Sequence, residues 1–342
     1  MKKEKVLVSG VTGFLGSHLS IQLLNQGYQV VGSLRSQKRA PAIREVIARH
    51  SEWVDHLSFV EADLNDAQSW QAACKGMDFV QHIASPVPVT EPKDENEVIL
   101  PARNGTLNLL RAAQDQGVKR VVLTSSVAAI GYGHHPMPKA GFTEEHWTNP
   151  EDRKDSNAYI RSKTLAERAA WEFVSQEDVQ LELCTINPVG ILGPVLEKDY
   201  GSSAEIVKKL MEGALPGAPK FGFGLVDVRD VADLHIRAMR SPEAAGERFI
   251  CGNEFSWMLE VSQILRKHYP AYARKLPRFN LPNFAIRFFS LFDPEVRSLL
   301  FELGKLRVFD NSKAKKILKW EPRSNEEAIL ATAESLIAHQ LV

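Results

Sequence analysis

Short runs of aliphatic and β-branched residues alternate with longer amphipathic segments through the first half of the chain. The short runs predict strands, and segments in which apolar residues recur every three or four positions predict helices. Strands are predicted at 6–9, 29–33, 57–61, 79–83, 120–124 and 181–186, and helices at about 14–25, 66–74, 96–115 and 157–177. This alternation predicts an α/β fold with a Rossmann-type doubly wound parallel sheet, whose ligands bind beyond the carboxyl ends of the strands.

The second half of the chain is less regular, because glycine and proline interrupt the pattern after Pro188. A strand at 226–228 and a helix at 231–239 are expected to return to the first lobe. Helices are then predicted at about 256–269, 283–304, 311–317 and 325–340. We therefore expect one lobe of residues 1–187 and 226–252, and a smaller, mostly α-helical C-terminal lobe of 188–225 and 253–342.

Composition narrows the class of protein. Among 342 residues, 42 Lys and Arg balance 42 Asp and Glu, so no net charge would draw the chain to nucleic acid. The hydrophobic fraction of 44% is that of a folded globular protein. Cys74, Cys184 and Cys251 lie far apart, and the ten histidines show no ligand spacing, so neither a disulfide framework nor a metal site is predicted.

The apolar segments are too short or too charged to be targeting or membrane elements. The first apolar run meets Ser9 and Gly10 at once, which leaves no room for a signal-peptide core. The stretch 284–303 contains Arg287, Asp293 and Glu302, which a bilayer-spanning helix would not tolerate cheaply. We expect a cytoplasmic protein with no membrane partner, and a helix near 284–303 that covers a pocket or a partner.

A glycine-rich turn follows the first predicted strand. The segment Gly10-Val-Thr12-Gly13-Phe14-Leu15-Gly16 then opens a helix. Glycine allows a tight turn and lets backbone N–H groups approach a pyrophosphate, which a helix N-terminus also attracts. The spacing differs from the usual G-x-G-x-x-G dinucleotide motif, and a plain strand-to-helix turn is the alternative. Its place at the start of a strand–turn–helix unit favours a dinucleotide site.

A basic turn follows the second predicted strand. Sites that prefer NAD usually carry an acidic residue about 20 residues past the glycines, where this chain has Arg35, with Lys38 close by. A guanidinium can pair with a 2′-phosphate, which indicates NADP, although a solvated basic turn is the alternative. After the third strand, Asp63 and Leu64 stand where adenine could be met, unless Asp63 caps the next helix.

Three side chains suited to carbonyl chemistry follow the fifth predicted strand. Ser126 ends that strand, and Tyr159 and Lys163 are spaced to share one face of the next helix. An ammonium and an oxidised nicotinamide would lower the pKa of the phenol, so that Tyr159 could act as a general acid or base. Ser126 could hold the same oxygen by a hydrogen bond.

Together these motifs resemble the extended short-chain dehydrogenase/reductase family over nearly the whole chain. The subgroup it looks most like comprises dihydroflavonol reductases, cinnamoyl-CoA reductases and microbial aldehyde and ketone reductases. Further motifs carrying the resemblance are His82-Ile-Ala-Ser-Pro86, Pro101-Ala-Arg-Asn-Gly105-Thr106, Asn187-Pro188-Val-Gly-Ile-Leu-Gly193-Pro194, Val226-Asp-Val-Arg-Asp-Val231 and Asp310-Asn-Ser-Lys-Ala314.

The resemblance implies a role for each motif residue. It implies that Ser126, Tyr159 and Lys163 are catalytic, that Lys163 also bonds the nicotinamide ribose, and that Arg35 meets the 2′-phosphate of NADP. It further implies contacts to the cofactor that follow the strand order, with Asp63 and Leu64 at adenine, Ala84 and Ser85 along the dinucleotide, and Pro188 and Val189 near the carboxamide. The larger lobe would bind NADP and the smaller lobe the substrate.

Two departures from the family favour a simple reductase. Epimerases and dehydratases of the family usually carry an Asn where this chain has Ala102, and the dehydratases need an acidic residue where Val127 stands. We therefore expect NADPH-dependent reduction of an aldehyde or ketone by a monomer or homodimer. The alternatives are an NAD-dependent sugar-nucleotide epimerase or dehydrogenase, and a non-catalytic redox sensor that binds NADP.

Overall fold

A parallel β-sheet forms the centre of the protein in the computed structural model, which describes residues 3–86, 92–198, 200–293, 296–297 and 299–342. Its strands are arranged in the order β3-β2-β1-β4-β5-β6-β9, and a smaller sheet has the order β10-β8-β7. The strands are β1 (Lys5–Ser9), β2 (Gln29–Leu34), β3 (Leu57–Glu61), β4 (Phe79–His82), β5 (Arg120–Thr124), β6 (Glu182–Pro188), β7 (Gly190–Leu192), β8 (Gly222–Asp227), β9 (Arg248–Cys251) and β10 (Phe255–Trp257).

Helices cover both faces of the seven-stranded sheet and build most of the second lobe. They are α1 (Phe14–Asn25), α2 (Ala40–Ala48), α3 (Ala67–Cys74), α4 (Asn96–Asp115), α5 (Ala158–Val174), α6 (Ser202–Glu212), α7 (Val228–Arg240), α8 (Met258–His268), α9 (Asn283–Phe289), α10 (Ser312–Leu318) and α11 (Asn325–Ala338). The predicted Rossmann-type doubly wound parallel sheet with a largely helical C-terminal portion is confirmed.

The central strands are apolar because both of their faces are covered. Val6, Leu7 and Val8 of β1 are fully buried, and they alternate between two cores. Val6 and Val8 belong to the core that contains residues of α1 and α7, whereas Leu7 packs with residues of α3 and α4. A strand buried on both faces has a continuous apolar run, which is why it could be predicted from the sequence.

The structure corrects the prediction at several elements. The strand predicted at 226–228 is the end of β8, which pairs with β7 and β10 in the smaller sheet rather than returning to the first lobe. The helix predicted at 231–239 is α7, which packs against the central sheet, and the strand that joins that sheet is β9, which pairs with β6 as the seventh strand. Helix α2 was not predicted, although Ile43, Val46 and Ile47 bury one of its faces. The boundaries of the two lobes stay a prediction.

The long helix predicted at 283–304 is much shorter in the structure. Helix α9 ends at Phe289, and a 3₁₀ turn spans Leu300–Glu302. The sequence gives a reason for the early end, because Pro294 disfavours helical backbone at the residue before it and supplies no N–H group. Phe284, Phe288 and Phe292 are largely exposed.

A separate hydrophobic core holds the second lobe together. Residues of α6, α8 and α11 pack with the smaller sheet through side chains such as Leu210, Leu265 and Leu336, which are fully buried. In the part of the chain that the structure describes, no helix combines the length and the apolar character needed to cross a bilayer.

Candidate active site

The candidate site lies at the carboxyl ends of the strands of the central sheet. Strands β1 and β4 are neighbours, and the chain continues from β1 to β2 on one side and from β4 to β5 on the other. This reversal opens a crevice at the carboxyl ends of the strands, which is where doubly wound sheets bind their ligands. Every site residue predicted from the sequence follows the carboxyl end of a strand or lies on the first turns of α1 or α5.

The glycine turn between β1 and α1 is built so tightly that two positions exclude a side chain. Gly10 has a φ of +68°, and a Cβ there would lie 3.2 Å from the Cα of Ala84. A Cβ at Gly16 would lie 2.1 Å from the carbonyl oxygen of Gly10. The Gly13 N–H donates to that same oxygen at 3.0 Å.

Gly13 differs from the other two glycines because it faces open space. Its φ is −88°, and the nearest atom to an added Cβ would be 3.4 Å away. It is the N-cap of α1 and provides no side chain of its own to the free N–H groups of the first turn, which also contains Phe14 and Leu15. An exposed helix N-terminus behind a glycine suits a pyrophosphate, so these residues fit a dinucleotide.

Ser9 fixes the end of β4 against this turn. Its hydroxyl oxygen accepts hydrogen bonds from the backbone N–H groups of Ile83 and Ala84, at 2.8 and 2.9 Å. The same hydroxyl bonds Nδ1 of His82 at 2.8 Å. Burial lowers the pKa of His82 to about 3, so this imidazole is neutral. Sequence reasoning missed Ser9 and His82, although a serine ending a strand before a glycine turn was a usable signal.

The basic turn after β2 is exposed. Arg35 and Lys38 are both accessible to solvent. The turn is fixed from within, because the Lys38 N–H donates to the Ser36 hydroxyl at 3.4 Å. It is fixed from β3 by a hydrogen bond of 2.8 Å from the Gln37 N–H to the Glu61 carboxylate. Two accessible cations on a held turn fit a phosphate at this end of the crevice.

The segment after β3 contains Asp63 and Leu64. The Asp63 carboxylate accepts from the Asn65 N–H at 2.9 Å, whereas α3 is capped by Asp66, which accepts from the Gln68 N–H at 3.0 Å. The alternative that Asp63 caps α3 is therefore wrong. Leu64 lies against α4, where a Cβ added at Gly105 would be 2.8 Å from the Cβ of Leu64. Contact of Asp63 and Leu64 with adenine stays a prediction.

Ser126, Tyr159 and Lys163 come together as the sequence predicted. Ser126 begins a 3₁₀ turn after β5, and its hydroxyl accepts from the Ala128 N–H at 3.1 Å. Helix α5 brings Tyr159 beside Ser126, close enough for the serine hydroxyl to lower the pKa of the phenol. Lys163 lies one turn further along, where its Nζ donates to the carbonyl oxygen of Thr124 at 3.4 Å. Asn157 starts the helix, accepting from the Ile160 N–H at 2.9 Å.

The pKa values of the two titratable members are shifted by burial. Burial raises the pKa of Tyr159, and the hydrogen bond with Ser126 only partly opposes this. The expected lowering of this pKa by Lys163 is therefore not found in the chain by itself, and the phenol keeps its proton at neutral pH. Burial lowers the pKa of Lys163 to about 8, against an opposing effect of the Glu167 carboxylate.

The end of β6 and the segment that follows it border the same crevice. Ser126 donates weakly to the Pro188 carbonyl at 3.5 Å, and the Val189 N–H donates to the Cys251 carbonyl at 3.1 Å. Nε2 of His18, on α1, donates to the Pro194 carbonyl at 2.8 Å. Pro188 and Val189 thus lie beside the Ser126 turn, and α1 is hydrogen-bonded to the segment that follows β7.

The family is decided by comparison with known proteins. Residues 6–252 match the NAD dependent epimerase/dehydratase family. The chain belongs to this family. The match spans the glycine turn, the Ser126 turn and the Tyr159-x-x-x-Lys163 pair, so the predicted membership of the extended short-chain dehydrogenase/reductases is confirmed.

Relatives within the family support the predicted subgroup. The chain is 34% identical over 269 residues to cinnamoyl-CoA reductase CAD2 of Medicago truncatula, which covers 78% of this chain and 81% of that protein. It is 31% identical over 353 residues to the NADPH-dependent methylglyoxal reductase GRE2 of Saccharomyces cerevisiae, covering 97% and 98%. The crystal structure of yeast methylglyoxal/isovaleraldehyde reductase Gre2 complexed with NADPH has a TM-score of 0.79 at 29% identity, covering 99% of this chain and 100% of that one.

Proposed function

We propose that this family member reduces an aldehyde or ketone to the alcohol with NADPH, and that Tyr159 gives the proton to the carbonyl oxygen. NADPH-dependent reduction of a carbonyl group is supported by the full-length similarity to methylglyoxal reductase and by the similarity to cinnamoyl-CoA reductase. The role of Tyr159 is supported by one observation, the placing of Tyr159 beside Ser126 with Lys163 one helical turn further along α5.

The residues along the sheet edge would hold the cofactor in the order of the strands. The glycine turn, including Thr12, would receive the pyrophosphate, and Arg35 with Lys38 the 2′-phosphate. Asp63 and Leu64 would border adenine, Ala84 and Ser85 the middle of the dinucleotide, Pro188 and Val189 the carboxamide, and Lys163 the nicotinamide ribose. When bound, NADPH supplies the hydride.

The side chains divide the remaining work between orientation and proton transfer. The Ser126 and Tyr159 hydroxyls converge, so both can hold one carbonyl oxygen where negative charge develops. Tyr159 carries its proton at neutral pH because its pKa is raised, which is the form required of a general acid in the direction of reduction. Lys163 carries a positive charge at neutral pH one helical turn from Tyr159, where it would hold the nicotinamide ribose.

Substitution of Tyr159 tests the proposed acid. Tyr159→Phe removes the hydroxyl and keeps the ring, so kcat with a carbonyl substrate should fall by about 10²- to 10⁴-fold. The measurement is the initial rate of NADPH oxidation, followed by absorbance, against a panel of aromatic and aliphatic aldehydes, ketones and ketoesters. NADH is run in parallel, and NADPH is expected to be preferred.

Tyr28→Phe is the matched control. Tyr28 is buried immediately before β2, at the opposite edge of the sheet from the candidate site. Its substitution should leave kcat unchanged. Full activity of Tyr159→Phe would remove the proposed acid. Absence of turnover across the whole panel, with NADPH binding retained, would instead favour a sugar nucleotide as substrate or a non-catalytic redox sensor.

A further inference from the structure

A buried carboxylate lies directly behind the candidate catalytic residues. Glu167 is on α5, one turn beyond Lys163, and is 1% exposed. Its two oxygens accept hydrogen bonds from side chains of three strand ends and of its own helix. The donors are the Ser125 hydroxyl, the Asn187 amide at 2.7 Å, the Thr185 hydroxyl at 3.2 Å, Nε of Arg248 at 2.6 Å and the Trp171 indole at 3.3 Å.

These contacts hold the Ser126 turn from two sides. Ser125 precedes Ser126 in the chain, and its hydroxyl is committed to Glu167. Asn187 donates to the Glu167 carboxylate and also to the Ser126 carbonyl oxygen, at 3.1 Å. The side chain of Ser125 and the backbone of Ser126 are therefore both fixed to one carboxylate. This explains why two serines stand in tandem, the first holding the turn and the second facing Tyr159.

Glu167 is on the same helix as Tyr159 and Lys163. Tyr159, Lys163 and Glu167 follow one another at four-residue spacing on α5, so they lie along one face of it. Arg248, on β9, neutralises the carboxylate and is itself held by the carbonyl oxygens of Glu144 and His146. Its guanidinium lies 3.7 Å from the centre of the Trp147 ring. Glu167 thus joins α5 to the ends of β5, β6 and β9.

We propose that Glu167 is a positioning residue that sets the distance between the Ser126 and Tyr159 hydroxyls. The inference rests on the proposed function, since it assumes that these hydroxyls act on one oxygen. A carboxylate can accept from all of its partners at once, whereas the amide of a glutamine would turn an N–H group toward either the Asn187 amide or the Arg248 guanidinium, both of which are donors. The turn and the helix would then shift apart.

Glu167→Gln is the first test, in the full chain. We expect kcat to fall by about 10- to 100-fold, because displacement of a catalytic group by an ångström has costs of that order. The KM for the carbonyl and the Kd for NADP⁺, measured by calorimetry in the absence of substrate, should change by less than about threefold. Ser125→Ala removes one hydrogen bond beside Ser126 and should lower kcat in the same manner but less, and it decides the matter if the Gln variant does not fold.

Asp230→Asn is the matched control for loss of a buried carboxylate. Asp230 is 4% exposed and accepts from the Arg323 backbone and side chain, away from the Ser126 turn. It should lower the melting temperature without lowering kcat. The inference is overturned if Glu167→Gln and Ser125→Ala keep the wild-type kcat. It is also overturned if Asp230→Asn lowers kcat as much as Glu167→Gln does, or if Glu167→Gln changes only KM. Full activity in Tyr159→Phe would mark failure of the proposed function itself, and this inference would fall with it.

Discussion

His82 and Lys163 are buried bases near the carboxyl ends of the central strands. Burial lowers the pKa of both, but they differ in charge at neutral pH. Burial lowers the pKa of His82 to about 3, so this imidazole is neutral at pH 7 and above. Burial lowers the pKa of Lys163 only to about 8, since the Glu167 carboxylate opposes the shift. Lys163 is therefore charged at neutral pH but loses its proton about one pH unit higher. We expect its ionisation to control how the activity depends on pH.

We predict that kcat/KM for NADPH falls as pH rises above about 8. This ratio reports the ionisation of the free enzyme, and loss of the Lys163 proton removes a cation beside Tyr159. A single ionisation gives a fall of about tenfold per pH unit well above its pKa. The measurement is kcat/KM from pH 6 to about pH 10, at constant ionic strength.

Lys163→Arg provides the control, because a guanidinium keeps its charge over this whole range. The variant should be slower but should lack the decline above pH 8. A decline of the same midpoint in the arginine variant would assign it to another group. The neighbouring His82 is already neutral, and the pKa of Tyr159 lies above its ordinary value, so neither should contribute near pH 8.

At the scale of elements, the β1–α1 turn uses its three glycines for three different reasons. Gly10 needs its positive φ, and Gly16 has no room for a Cβ because the carbonyl of Gly10 is too close. Gly13 has an ordinary φ and space around it. Gly13 is therefore the one glycine of the three that the fold itself does not require. The space that a side chain would fill at Gly13 is open to a ligand.

The turn therefore predicts opposite effects for two alanine variants. Gly16→Ala should lower the free energy of unfolding by about 1–3 kcal/mol, because the helix must move away from the strand. Gly13→Ala should change it by less than about 1 kcal/mol but should raise the Kd for NADPH by about 10- to 100-fold. Urea unfolding and fluorescence titration with NADPH measure the two quantities. Equal effects of the two variants on binding and on stability would contradict these separate roles.

The elements that could be predicted from the sequence are those whose pattern is local. Strand β5 was predicted at its observed bounds because it is a buried apolar run. Strand β9 was missed, since it is only four residues long and begins with Arg248, whose partner Glu167 is far away in sequence. Parallel strands bring their carboxyl ends to one edge, so Ser126 could be placed near the glycine turn. Glu167 could not, because its role depends on which strands lie beside β5.

At the scale of the whole molecule, a buried ionic cluster fastens the C-terminal segment to the loop that leads into α5. Asp155 is 1% exposed and is paired with Arg307 and Lys305. It also accepts from the Gly133 N–H at 2.8 Å, and Arg307 donates to the Gly131 carbonyl at 2.7 Å. The loop between the Ser126 turn and Tyr159 is thereby held by residues from the far end of the chain. The cluster links the segment of Lys305 and Arg307 to the loop that leads into α5.

We predict that Asp155→Asn lowers the free energy of unfolding at pH 7 by about 3–5 kcal/mol, because two cations lose their buried partner. The pKa of Asp155 is lowered by Lys305, Gly133 and Arg307 despite its burial, so the stabilisation is complete above the ordinary value of 3.8 and is lost as pH falls below it. Asp152→Asn is the control in the same loop, since the partner of Asp152, His135, is exposed. It should cost less than about 1 kcal/mol.

Urea unfolding of the wild type and both variants, at pH 7 and at pH 3, measures these differences. The difference in unfolding free energy between the wild type and Asp155→Asn should be smaller at pH 3, since below 3.8 the Asp155 carboxyl takes up a proton in the unfolded state, which removes part of the stabilisation. A gap of the same size at both pH values would assign the stabilisation to packing rather than to charge. If Asp155→Asn and Asp152→Asn lower the free energy of unfolding equally, the cluster does not fasten the C-terminal segment to the loop before Tyr159, and that loop must be held by its apolar contacts, such as that of Phe142 with Phe309.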